Sequence, residues 1–197
     1  MLDLTEMWSI AKDNKRQARS ELDYSGYQFS AAPAADASAA TALEVFVAYQ
    51  NQSGWYYDPL SESYLRYVDT SDIKEAGLLH AETDRLTRRQ LHVENVIVLF
   101  AKHRVVTPTN LDIHLDPGRK GRAILFRDGV AQEIEWRNVS DQHGDTARPI
   151  QFVQKSGDPA ALKPGHTWVI VVTPESLVEP GADGVWKLTF MQPVGAQ

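Results

Sequence analysis

VENVIVLFAKH, residues 93–103, is the stretch whose reading decides the fold. Its centre, Val96, Ile97, Val98, Leu99 and Phe100, is an unbroken run of β-branched, aliphatic and aromatic side chains. Asn95 bounds it on one side, Lys102 and His103 on the other. Such a run predicts a strand buried on both faces. A second run of the same kind, Trp168, Val169, Ile170, Val171 and Val172, follows the turn-like Lys163, Pro164 and Gly165. It predicts another central strand in the same core.

Segments with strand character surround these two. Residues 43–50, LEVFVAYQ, precede a turn-forming Asn51, Gln52, Ser53 and Gly54, and Trp55, Tyr56, Tyr57 and Asp58 then pair back as a hairpin. A second turn at residues 58–61 leads into Tyr64, Leu65, Arg66, Tyr67 and Val68, which makes a three-stranded antiparallel meander. Residues 122–127 and 131–137 form a hairpin across Asp128 and Gly129, the strongest short-range turn signal in the chain. Residues 149–154 and 185–191 supply further strands. Ahead of them, Leu4, Met7, Trp8 and Ala11 recur at helical spacing over residues 2–22. An alanine-rich stretch, residues 31–40, follows and reads as a linker or surface strap, with an alanine-rich helix as the alternative. A short helix is expected near Ile73 to Ala76, ending at Gly77.

The fold class is therefore mainly β: an antiparallel sandwich, or a partly open barrel or twisted sheet, with an N-terminal helix and one short helix. Residues 1–42 divide off as the helix and linker, and residues 43–197 form the β-rich domain.

Composition narrows the function classes. A chain of 197 residues with 43% hydrophobic content can bury a sizeable core. Its 20 basic and 26 acidic residues give a net charge of −6, which argues against a general nucleic-acid surface. With no cysteine, disulfides, thiolate metal sites and cysteine nucleophiles are excluded. No apolar run reaches the length of a membrane span, and residues 1–6 lack the features of a signal peptide. Gly118, Arg119, Lys120 and Gly121 lack the setting of a phosphate-binding loop, and there is no Gly-x-Ser-x-Gly elbow. No cofactor is implied.

Three constellations carry chemistry. Asp112, His114 and Asp116 fall on one face of an alternating segment, the donor types and spacing a divalent metal would recruit, although a solvated strand face carries the same pattern. His80, Glu82 and Asp84 would supply a general acid and base if folded into a cleft. Trp55, Tyr56, Tyr57, Tyr64 and Tyr67 lie on adjacent strands, with Arg66 among them, and offer rings able to stack on a sugar or a peptide. Arg66 has three readings: a cation packed over a ring, a partner for Asp58 or Asp84, or an anion-binding group. Asn95 stands at the mouth of the central strand, placed to cap backbone or touch a ligand.

In order along the chain, Trp55 to Asp58, Tyr64 to Arg66, Asp84, Gln90 and Leu91, Asn95 to Val98, Gly121 to Ala123, Phe126 to Gly129, Trp136, and Leu162 to Val169 resemble the second half of the YerB-like lipoproteins. That is a bacterial cell-envelope family without a defined biochemical role. The resemblance implies an extracytoplasmic protein, membrane-anchored in its full-length form through a lipid anchor and preceded by a first domain, both outside this chain. Where the family tends to place a histidine two residues before Asp84, this chain has Glu82.

Together these readings predict a non-catalytic binding module of an envelope lipoprotein. Trp55, Tyr56, Tyr57, Tyr64, Arg66, Asp84 and Asn95 form its binding region, and an envelope protein or cell-wall component is its partner. The competing expectation is a hydrolase of envelope glycans or peptides using His80, Glu82 and Asp84.

Overall fold

The computed structural model describes residues 4–13, 23–33, 37–70, 73–107, 110–139 and 148–193. Helix α1 (Leu4–Asp13) is followed by two short strands, β1 (Gln28–Phe29) and β2 (Ser38–Ala39), and by the meander β3 (Ala42–Ala48), β4 (Asn51–Asp58) and β5 (Ser63–Asp69). A 3-10 turn (Ile73–Glu75), β6 (Leu79–Ala81) and β7 (His92–Val93) lead to β8 (Asn95–Phe100). A hairpin of β9 (His103–Thr107) and β10 (Asn110–Ile113) comes next, then β11 (Lys120–Arg127) and β12 (Val130–Arg137). The remaining strands are β13 (Gln151–Val153), β14 (Ala161–Leu162), β15 (Thr167–Val172), β16 (Leu177–Pro180) and β17 (Val185–Thr189).

Two main sheets result. The first has the order β13-β12-β11-β8-β15, with β2 on β12; the second runs β16-β17-β3-β4-β5-β6, with β7 on β5. Neither closes into a barrel. Most pairs are antiparallel, but β8–β15 and β3–β17 are parallel, each joining strands distant in sequence.

The period-two alternation of each strand sorts its side chains into two cores. Val96, Val98 and Phe100 of β8, with Ile124 and Phe126 of β11, meet Leu43, Val45, Trp55, Tyr64, Trp186 and Leu188 of the second sheet. Phe126 and Trp186 touch edge to face at 5.5 Å, so the sheets form a sandwich. On the far face of the first sheet, Ile97, Leu99, Ala123, Leu125, Ile134 and Trp136 form a second core, closed over by Leu162, Tyr27 and Ile150. All six residues of β8 are buried, as a run apolar on both faces requires.

The alanine-rich stretch is a strap at both its ends. Gln28 and Phe29 pair with Ala161 and Leu162, and Ser38 and Ala39 pair with Ala131 and Val130; Ala34 to Asp36 lie outside the described residues. Of the expected helix over residues 2–22, residues 4–13 are helical, and 2–3 and 14–22 lie outside the described residues. The turn at Asp128 and Gly129 has φ of 53° and 72°, the left-handed pair that matches the twist of a tight hairpin.

Two expectations are corrected. The first meander turn is Tyr49 and Gln50, while Asn51 to Gly54, read as the turn, belong to β4. Gly54 is there because a Cβ at this position would sit 2.5 Å from the Tyr56 ring, so the glycine makes room for an aromatic rather than for a turn. The second correction concerns β15. It is not central: among the described residues it ends the first sheet with β8 as its one neighbour, and Trp168 and Val169 are 38% and 41% exposed. Apolar residues on both faces predict that the faces are covered, which holds for the second half of β15 more than for the first, and they carry no information about the strand's lateral edge.

Candidate binding site at the open edge of the first sheet

Arg66 lies mid-strand in β5, directly opposite Trp55 of β4. Its guanidinium carbon is 4.1 Å from the ring centre of Trp168 and 5.3 Å from that of Trp55, and the two indoles approach to 5.2 Å. One indole comes from each sheet, so the cation is clamped where the sandwich edge opens. The Arg66 Nη1 makes an ion pair with Glu82 Oε2 at 2.8 Å. Burial pulls the guanidinium below its ordinary value while Glu82 opposes the shift, and an arginine stays charged throughout. Two donors in this cluster, Trp55 Nε1 and Arg66 Nε, are buried without a hydrogen-bond partner.

Glu82 reaches Arg66 because residues 82–91 fold back along β5. The Arg66 carbonyl accepts from the Glu82 amide at 3.0 Å and from Gln90 Nε2 at 3.0 Å, and the Arg66 amide donates to the Leu91 carbonyl at 2.9 Å.

β15 presents the other half of the site. The carbonyls of His166 and Val172 accept from β8 and from Ala101 beyond it, so even-numbered residues of this strand direct their backbone groups toward β8. Thr167, Val169 and Val171 consequently direct theirs toward the unoccupied edge. No strand among the described residues pairs there, and residues 167–172 contain no charge and no proline. Trp168 faces Arg66, whereas Val169 faces the opposite side and lines an apolar groove of about 490 Å³ together with Tyr27, Phe29, Ile150 and Leu162.

Asn95 positions the strand. Its Nδ2 donates to the Lys163 carbonyl at 2.9 Å and to Thr167 Oγ1 at 3.2 Å, and its Oδ1 accepts from the Lys163 amide at 2.8 Å. Lys163 Nζ in turn contacts Asp128 at 2.7 Å and Glu62 at 3.0 Å, and Asp128 holds the buried Arg127 at 2.7 Å. The loop that delivers β15 is thus fixed at both its backbone and its side chains.

The other sequence-predicted residues are dispersed. Trp55 and Tyr64 are buried, and the Tyr64 hydroxyl donates to the Ala40 carbonyl at 2.8 Å, with burial pushing its phenol far up. Tyr57 is half-buried against Tyr64, 5.4 Å between centroids. Tyr56 faces the other way, edge-on to Tyr67, in a shallow pocket with Glu44, Gln52 and Lys187. The five rings therefore do not share one face. Asp84 does not meet Arg66: its Oδ1 accepts from the amides of Thr87 at 2.6 Å and Leu86 at 3.0 Å. The Thr87 amide above all holds its carboxyl below the ordinary range. His80 is exposed on β6 opposite Val68. Asp112 pairs with Arg104 at 2.9 Å, Asp116 lies 3.9 Å from Arg119, and His114 falls beyond the end of β10. Among the described residues no group of three or more histidine and carboxylate side chains is gathered as a metal would need.

Sequence reasoning missed Trp168, Val169 and Tyr27. A tryptophan inside an apolar run reads as core, and the one available signal was the absence of any charge or proline from residues 167–172.

The model for the C-terminal domain of a protein family of unknown function, DUF3048, matches residues 43–169. Among solved structures, the YerB protein from Bacillus subtilis is similar with a TM-score of 0.53 and 21% identity over 85% of this chain. The chain spans 50% of that protein's length, and at this identity the likeness concerns the fold. Comparison with curated proteins finds no match.

Proposed function

The chain belongs to the family of DUF3048 C-terminal domains, and from that premise we propose that it is a non-catalytic binding module that takes an extended polypeptide along β15. The observation that carries the reading is the uncharged edge of β15, on which no strand pairs among the described residues, with the backbone groups of Thr167, Val169 and Val171 directed outward. Strand addition satisfies such groups through main-chain hydrogen bonds, while alternate side chains of the guest supply specificity. One side of the guest meets Trp168 and the Arg66–Glu82 pair; the other lies over the groove of Tyr27, Phe29 and Val169. The partner chemistry is accordingly an extended segment with apolar residues on the groove side. In keeping with the lipoprotein resemblance, the guest is an envelope polypeptide and the full-length protein is tethered outside the cytoplasm. No comparable support exists for hydrolysis, since Glu82 is engaged by Arg66 and Asp84 by backbone amides.

The test is selection of binding peptides from a random display library, followed by calorimetric titration against the wild type and Val169→Pro. Proline removes the central outward amide of an edge strand at little cost to the sheet. Loss of peptide binding in a folded Val169→Pro supports strand addition. Equal binding by both proteins, or edge-to-edge dimerisation that Val169→Pro abolishes without any peptide ever being selected, overturns it.

A further inference from the structure

We infer that a second site, a phosphate-binding pocket, lies where β8 ends and β11 begins. Its walls are Phe100, Gly121, Trp136 and Pro174, and its rim carries Lys102, Arg119, Lys120 and Arg122. No carboxylate lines it, although the chain as a whole is acidic, with a net charge of −6. Cations concentrated against the chain's overall sign attract an anion in a way that a scattered surface does not.

The charge around the rim is only partly compensated. Arg122 pairs with Glu133 at 3.0 Å and rests over the Phe100 ring at 4.6 Å; Arg119 is 3.9 Å from Asp116. Lys102 and Lys120 have no carboxylate within ion-pair distance among the described residues. A further polar atom belongs to the same place: His114 lines the pocket, and its Nε2 is buried without a hydrogen-bond partner. The Trp136 indole N–H is already given to the Phe100 carbonyl at 2.7 Å, so this wall offers ring surface and the recognition falls to the rim and His114.

Size and charge define the ligand class. A cavity of about 270 Å³ lies below the range for drug-sized ligands, which favours a compact group over a nucleotide. Two uncompensated ammonium groups beside two guanidinium forks match a group with two or more negative charges. A phosphate or diphosphate meets that requirement and a single carboxylate does not. The phosphate is either a free mono- or diphosphate or a pair of consecutive phosphodiester units of a polymer, which together carry the two charges. The site is independent of peptide capture at β15.

Pyrophosphate is the first probe, titrated by calorimetry at low ionic strength into the wild type, the double variant Lys102→Ala with Lys120→Ala, and Lys187→Ala. Lys187 is an exposed lysine of β17 and controls for loss of positive charge alone. Both pocket lysines are exposed, so the double variant retains its core. Binding weakened about tenfold or more in the double variant and unchanged in Lys187→Ala is the expected result, because each charge-assisted hydrogen bond is worth roughly a factor of ten. A parallel titration with a glycerol-phosphate oligomer separates the sources: tighter binding of pyrophosphate assigns a free phosphate, and tighter binding of the oligomer assigns a polymer. The inference is overturned by the absence of binding to either probe, by a weakening of less than about threefold in the double variant, or by equal weakening in the Lys187→Ala control.

Discussion

β8 and β15 lie side by side, run in the same direction, and carry nearly interchangeable side chains, yet their surroundings differ. β8 is flanked by β11 and β15, and every one of its residues is buried. β15 has one strand neighbour among the described residues, and its first three residues are exposed. Side-chain pattern reports what covers the two faces of a strand; the hydrogen-bonding capacity of its edges is a separate property, carried by backbone atoms that every residue shares. Edge strands in soluble proteins are commonly blunted by charge, proline or a bulge, and β15 has neither charge nor proline. β8 lacks both as well, so what separates the two strands is the flank of β15 on which no strand pairs among the described residues.

Substitutions can break the comparison or sharpen it. The largest effect is expected from Ile97→Ala, which opens a cavity in the β8 core and costs about 2–5 kcal/mol. Val169→Ala on the neighbouring strand costs under about 1 kcal/mol, because an exposed residue loses little packing. Urea unfolding of the pair measures this directly, and similar costs would mean that β15 is covered after all. Next, Asn95→Ala leaves the backbone of Lys163 unpaired and costs about 1–3 kcal/mol, read both as a lower urea midpoint and as faster amide exchange over residues 163–167. Trp168→Ala removes one of the two indoles beside Arg66 and costs about 1–2 kcal/mol, with the fluorescence of the remaining tryptophans changing as Trp55 is uncovered.

The smallest effect is local and depends on pH. The folded carboxyl of Asp84 titrates below its ordinary value of 3.8, so its hold on the turn is complete above that value and is lost as pH falls through the depressed one. The amide signals of Leu86 and Thr87 should shift in that acidic window while those of β8 stay fixed. Movement of both sets together would indicate global unfolding.

Much of the sandwich was legible because its signals are local. The buried run of β8, the meander of β3 to β5, and the left-handed turn at Asp128 and Gly129 follow from residues adjacent in sequence. The site was less legible because it is assembled across the sheets. Nothing near Arg66 in sequence marks Trp168, and choosing Asp58 or Asp84 over Glu82 as its partner turns on how residues 82–91 fold back. The Asp112, His114 and Asp116 alternation fails for a related reason: the strand that would keep them on one face ends at Ile113.

The Asn95 carboxamide also bears on how the molecule acquires its shape in time. It joins strand residues to partners 68 and 72 positions later. During synthesis β11 and β12 can sheathe one side of β8 early, but the other side waits for residues 163–172. Long-range parallel closure is intrinsically slow, and for that interval the most apolar strand of the chain has its own flank bare. Asn95, bonded to both the amide and the carbonyl of Lys163, holds in the finished fold the register at which that late-arriving strand lies beside β8.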